Sequence, residues 1–164
     1  MINIGELIAE HGIGKRIGEG NFGEVYRIGR TNYAIKIGRD CGKPENKRAI
    51  ADKFEHEFGI AKALYALNVS VPMPIGFTGV RNPKTGEFSP GLVMGFVDGL
   101  NLFQITEKGL REKTARLRDR EILDARRFGF HPVDHLYPGN VLYAQTNDRA
   151  YLIDFQAWRS KQDD

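Results

Sequence analysis

At 164 residues the chain has the length of one domain, enough for a single buried core. Apolar residues at 41% and charged residues at 27% are globular proportions, and no run approaches the roughly 18 apolar residues of a membrane span. The net charge of +3 comes from basic residues spread along the chain, which gives no reason to expect nucleic acid as a partner. The opening MINIGELIAEHG has neither a basic flank nor a small-residue cleavage site, so no signal peptide is expected. Cys41 is the single cysteine, cannot form an internal disulfide, and suits a reducing, cytoplasmic compartment; export into a host cell is left open.

Ile4, Leu7 and Ile8 fall at helical spacing and predict a short amphipathic helix within residues 1–11. The Gly12-Ile13-Gly14-Lys15 stretch is not a P-loop, because it lacks the Ser or Thr after the lysine and the long glycine spacing. Residues 15–17 are expected as the first strand, leading into Gly18, Gly20 and Gly23 in G-x-G-x-x-G spacing. Alternating runs follow at residues 24–28 and 33–37, with a turn at residues 29–32 between them. The glycines therefore sit in a turn between strands, where backbone N–H groups can approach phosphate oxygens with no Cβ in the way. A dinucleotide fingerprint would need a helix to follow, and none does. Lys36 supplies a positive charge on the next strand.

After a polar loop at residues 38–48, residues 49–67 are expected to form a helix. Its apolar face carries Ile50, Phe54, Phe58, Ala61, Leu64 and Tyr65. Glu57 lies inside that stripe, which calls for a cation unless the carboxylate reaches solvent at the stripe's edge; Glu55 projects toward the polar side. Val71-Pro72-Met73-Pro74 is expected to end the helix. Residues 75–80 and 88–97 read as strands joined by the turn at residues 82–86. A charge-rich helix is expected over residues 109–128, with Leu110, Leu117, Ile122, Leu123 and Ala125 as its apolar positions. Residues 151–156 read as a strand running into an acidic turn at Asp154.

These features together resemble the protein kinase fold. The glycine motif ends in Val25, and Ala34-Ile35-Lys36 is similar to the family's V-A-I-K strand. The resemblance implies an α+β chain with a five-stranded antiparallel amino-terminal sheet, a C helix and a much reduced carboxy-terminal lobe. It treats residues 1–164 as one domain, with the upper lobe over about 1–95, the hinge at about 95–99 and the lower lobe over about 100–164. It further implies that Lys36 pairs with Glu57, and that Gly18, Gly20, Gly23, Val25, Ala34 and Lys36 contact ATP. Met94 takes the gatekeeper position, and the backbone of Gly95, Phe96 and Val97 meets the adenine edge.

The stretch Phe130–Tyr143 resembles the H-R-D-L-x-P-x-N catalytic loop, which makes Asn140 a ligand for Mg²⁺. Held in the family register, the loop puts His135 in the place of the catalytic aspartate; with one extra residue absorbed, Asp134 keeps the base role. Asp154-Phe155-Gln156 resembles D-F-G, with Asp154 as the principal Mg²⁺ ligand. Gln156 replaces the glycine, and a stiffer turn is expected because glutamine takes φ > 0 at a cost.

The resemblance covers residues 12–158, and the sequence ends eight residues after Gln156, without an A-P-E element or further helices. The implied activity is transfer of the ATP γ-phosphate to a hydroxyl acceptor on a protein, with a partner protein completing the lower lobe. Two alternatives stay open: a pseudokinase acting as an interaction module, and a small-molecule phosphotransferase suggested by Pro138-Gly139-Asn140.

Overall fold

The alternating runs of the amino-terminal half fold as five antiparallel strands: β1 (Ile13–Glu19), β2 (Gly23–Ile28), β3 (Tyr33–Gly38), β4 (Pro74–Arg81) and β5 (Phe88–Gly95). Their order in the sheet is β1-β2-β3-β5-β4. The computed structural model describes residues 2–20, 22–39, 41–133 and 137–161. The chain divides into two compact units, Met1–Phe58 with Pro74–Phe96 and Gly59–Met73 with Val97–Asp164. Among the described residues no helix is long and apolar enough to cross a membrane.

Residues directly opposite one another in antiparallel strands share a face. One face of the five-stranded sheet therefore carries Tyr26, Ile35 and Val93, together with Ile28 and Ile37. This face is closed by helix α1 (Ile4–His11), whose Ile4, Leu7 and Ile8 pack on the buried cluster. Asn3 caps α1 by accepting the Glu6 N–H at 3.3 Å. The opposite face carries Val25, Lys36 and Leu92 and, one register step on, Ala34 and Met94. Helix α2 (Pro44–Ala66) covers it through Ile50 and Phe54, with Phe58 packed alongside.

Helix α2 begins five residues before the expected position. Pro44, taken as a loop signal, occupies its first residue, where a missing N–H costs nothing and a fixed φ is already helical. The helix also stops before the prolines. Asn68 adopts φ +60°, and Val69 N–H turns back to the Leu64 carbonyl at 3.0 Å. Tyr65, expected on the apolar stripe, is 48% exposed near this end.

In the second unit the last turns of α2 pack Ile60, Ala61 and Leu64 against Leu152, Phe155 and Trp158. Helix α3 (Lys108–Arg127) adds Ala125 to this cluster, and its Leu110 and Leu117 pack on a second cluster of Leu102, Ile105, Val141, Tyr143 and Ala150. Leu123, expected among its apolar positions, is instead 51% exposed. Glu121 on α3 accepts from both the N–H and the Oγ of Ser70, each at 2.8 Å. Strands β6 (Leu100–Asn101), β8 (Val141–Ala144) and β9 (Arg149–Leu152) make a three-stranded sheet. Strands β7 (Phe130–Pro132) and β10 (Trp158–Ser160) form a separate pair that the sequence did not suggest.

Ile35 is fully buried in the face that α1 covers. Ile35→Ala should lower unfolding free energy by about 2–5 kcal/mol, the cost of removed apolar contacts plus the cavity left behind. Urea denaturation measures it, and an unchanged midpoint would mean that this face is not a packed core.

Candidate functional site

The site begins with a register. Val25 stands opposite Lys36, and Lys36 opposite Leu92, so the lysine projects from the α2 side of the central strand. There its Nζ donates to Glu57 Oε2 at 2.8 Å. Both side chains are buried, at 5% exposure each, and the ammonium lies 5.7 Å from the centroid of the Phe54 ring. Glu57 lies three residues after Phe54, close to one helical turn on, which is why an apolar stripe delivers a carboxylate to this spot. Burying two charges is unfavourable unless they are paired at good geometry, and this pair meets that condition.

Ala34 and Met94 are directly paired on the same face, Ala34 buried and Met94 half-buried. Gly95 ends β5 opposite Tyr33. The Phe96 N–H, one of the backbone groups expected to meet a base, already donates to the Asn32 carbonyl at 2.8 Å. Its ring is stacked under the Arg27 guanidinium, 4.3 Å from the centroid. Val97 begins the carboxy-terminal segment of the second unit.

The glycine turn joins β1 to β2. Gly18 closes on Val25, and Gly20 N–H donates to the Gly23 carbonyl at 2.8 Å. Of these glycines, Gly23 is constrained by close approach: a Cβ there would meet the Ile37 carbonyl oxygen at 2.7 Å and Lys36 Cγ at 3.2 Å. Its absent side chain lets β2 lie against the strand that carries the lysine. At the tip, the Phe22 ring sits 3.3 Å from Lys53 Nζ on α2, and Phe22 O accepts from Arg39 N–H at 3.1 Å.

Sequence reasoning missed Glu24. In an alternating strand a carboxylate reads as solvent-facing, yet Glu24 is 2% exposed. Its Oε2 accepts from the Tyr26 hydroxyl at 2.9 Å and its Oε1 from Arg16 Nη1 at 2.9 Å, while Lys84 Nζ stands 3.6 Å from Oε1. The Tyr26 hydrogen bond, and then Arg16, hold the Glu24 carboxyl below its ordinary value against the opposing effect of burial. Burial, then the bond to Glu24, pushes the Tyr26 phenol up.

In the second unit, Asn140 ends a 3₁₀ turn, Pro138–Asn140, directly before β8, and its carbonyl accepts from Ile153 N–H at 3.0 Å. Asp154 follows Ile153, so the hairpin β8–β9 sets Asn140 and Asp154 on adjacent segments. Asp154 itself adopts φ +62°, ψ +76° and caps the 3₁₀ turn Phe155–Ala157. This corrects the expectation for Gln156: the left-handed backbone falls on the aspartate, and Gln156 sits inside the turn without positive φ. The missing glycine therefore carries no conformational cost here. Asp134 and His135, the two candidates for the base, lie outside the described residues.

Among the described residues no three His, Cys, Asp or Glu side chains cluster around a metal position. Mg²⁺ requires no such cage, since it is held by one or two protein oxygens together with phosphates. The oxygen donors of Asn140 and Asp154, on adjoining segments, fit that description. A cavity of about 500 Å³ in the first unit, lined in part by Cys41, Lys47, Arg48 and Phe88, includes none of the expected nucleotide residues.

Two results are expected from these contacts. Lys36→Met or Glu57→Leu alone removes one partner of a buried ion pair and should cost about 3–5 kcal/mol, whereas the double variant should lose less than the two single losses combined. Chemical denaturation of the three variants tests this; additive losses would show that the two charges are not coupled. Because the Glu24 carboxyl is held below its unfolded value, the stability it contributes is present above the ordinary carboxylate range and is lost as pH falls through the folded value. Glu24→Gln should therefore flatten the acid limb of the stability profile, and an unaltered limb would contradict the assignment.

No protein-family model matches the sequence, and no curated protein matches it. Solved structures do. WbdD superposes with TM-score 0.65 at 18% identity over 91% of this chain and 33% of that one. A Stt7 homolog from Micromonas, soaked with ATP, superposes with TM-score 0.66 at 15% identity over 89% of this chain and 49% of that one. The chain thus spans about a third and about half of the two structures. The fold is α+β and protein kinase-like, with a five-stranded antiparallel sheet and the helix that follows its third strand.

Proposed function

We propose that this chain is a minimal, atypical kinase that binds Mg-ATP and passes the γ-phosphate to a hydroxyl acceptor carried by a protein. The observation that carries this reading is the buried Lys36–Glu57 pair, placed on the same sheet face as Val25, Ala34 and Met94. A buried ammonium fixed by a carboxylate gives phosphate oxygens a cation that needs no reorganisation before binding. The soaking of a neighbour of the same fold with ATP agrees with this reading.

Phosphoryl transfer asks for positioning and charge neutralisation more than covalent chemistry. In this reading Lys36, held by Glu57, contacts the α- and β-phosphates while Gly18, Gly20 and Gly23 offer their backbone. Ala34, Val25 and Met94 receive the base, and the remaining backbone groups of Gly95, Phe96 and Val97 meet its edge. Asn140 and Asp154 hold Mg²⁺, which when bound offsets phosphate charge. The acceptor oxygen attacks the γ-phosphorus, the bond to the β–γ bridging oxygen breaks, and ADP departs. The acceptor's proton passes to Asp134, or to His135 in its neutral form. A partner protein presents the hydroxyl.

Thermal stabilisation by ATP is the direct test. At a hundred times its dissociation constant, ATP should stabilise the chain by about 2.7 kcal/mol in the presence of Mg²⁺. The gain should be largely lost without the metal and in Asp154→Asn, which removes a charge without opening a cavity. Transfer of labelled γ-phosphate to a protein acceptor is then expected. With His135 as base the rate should fall below about pH 6.5, and with Asp134 as base it should hold through that range. Stabilisation without transfer to any acceptor would replace this reading with a nucleotide-binding pseudokinase. No stabilisation by Mg-ATP would contradict both.

A further inference from the structure

β1 is one of the two edge strands of the five-stranded sheet, and most of its residues are exposed. Its pairing with β2 is irregular, with register shifts between Ile13 and Arg16 and again between Arg16 and Gly18. The ladder just before the glycine turn is therefore interrupted twice, and Arg16, opposite Tyr26, is the paired residue between the two breaks. Such irregularities leave backbone groups unpaired and bend the strand, so a side-chain tie across the gap adds to what the ladder lacks. Here the Arg16 guanidinium reaches across to Glu24, directly after the last glycine of the motif. It also donates to Glu19, between the first two glycines, at 3.0 Å. Glu19 in turn accepts from Arg39 Nη2 at 3.2 Å, and Arg39 N–H holds the tip through Phe22 O. Lys84 approaches Glu24 from the β4–β5 turn, at the other side of the sheet.

We propose that Glu24 is a positioning residue for the glycine hairpin. Buried on the sheet face opposite Lys36, its carboxylate ties β1 through Arg16 and the β4–β5 turn through Lys84, and so fixes the pose in which the hairpin meets a nucleotide. The second half of this statement rests on the nucleotide-binding reading above; the first stands on the unliganded chain. The groups that face the carboxylate are Arg16 and Tyr26, with Lys84 beside them and Glu19 and Arg39 one link further along the chain of charges. Among the described residues, exchange of this carboxylate for a neutral group leaves Arg16 with exposed Glu19 as its anionic partner.

The experiment is amide hydrogen exchange on the unliganded full chain, paired with calorimetric titration of Mg-ATP, for wild type, Glu24→Gln and Tyr26→Phe. Loss of a charged hydrogen-bond partner should raise exchange across residues 16–25 by about tenfold in Glu24→Gln, and less in Tyr26→Phe, which keeps the charge. Exchange in β3, β5 and α2 should stay as in wild type, and the dissociation constant for Mg-ATP should rise by a similar factor. A merely structural role would raise exchange throughout the sheet and leave affinity unchanged in the folded fraction. Unchanged exchange at residues 16–25 overturns the proposal. If wild type binds no Mg-ATP, the kinase reading falls while the exchange arm still decides whether Glu24 positions the hairpin.

Discussion

A lysine and a glutamate, both buried, meet at 2.8 Å between the central strand of the sheet and the helix packed on it. Much of the first unit can be understood as the means of holding those two charges together. The sheet register aims Lys36 toward α2, and the spacing of Ile50, Phe54 and Phe58 turns Glu57 toward the sheet. Gly23 lets β2 close on the backbone beside the lysine. A pair so enclosed is poor evidence for stability, since apolar residues of similar volume would serve as well or better. Under the proposed function its presence answers a task that requires a cation in a low-dielectric place, the binding of phosphate.

The two faces of the sheet hold their charges differently. On the α2 face the Lys36 ammonium meets the Glu57 carboxylate beside a cluster of apolar side chains. On the opposite face, at the glycine end, a chain of charges runs from Lys84 through Glu24, Arg16 and Glu19 to Arg39, partly in solvent. The exposed links of such a chain contribute little individually, and salt weakens them. Glu24 is the enclosed member, and the tyrosine hydroxyl beside it, followed by Arg16, favours its ionised form. The glycine hairpin therefore has a firm root and a tip held by a ring–ammonium contact and one backbone hydrogen bond.

The strands were legible because alternation needs only the sheet period, and Glu57 was legible because a charge inside an apolar stripe stands out. Other features depended on tertiary context. Pro44 looks the same in a loop as in the first turn of a helix, and only packing of Ile50 and Phe54 decides between them. Glu24 was hidden by the same alternation that revealed its strand, since the pattern gives the period and not which polar residue has a buried partner. The strain expected at Gln156 was assigned two residues too late, because Asp154 takes the left-handed conformation instead. The three-residue strands β7 and β10 are too short to leave a periodic signal. Low identity to the solved structures, 18% and 15%, explains why the fold is clearer in three dimensions than in the residues.

The central claim is that Lys36, held by Glu57, exists to meet phosphate. Calorimetric titration with adenosine, AMP, ADP and ATP, each with Mg²⁺, measures this against wild type and the Lys36→Met, Glu57→Leu double variant. The account predicts affinity that climbs with the number of phosphates in wild type and is nearly flat in the double variant. Equal affinity for adenosine and ATP in the wild-type chain, or an undiminished climb once both charges are gone, would contradict it.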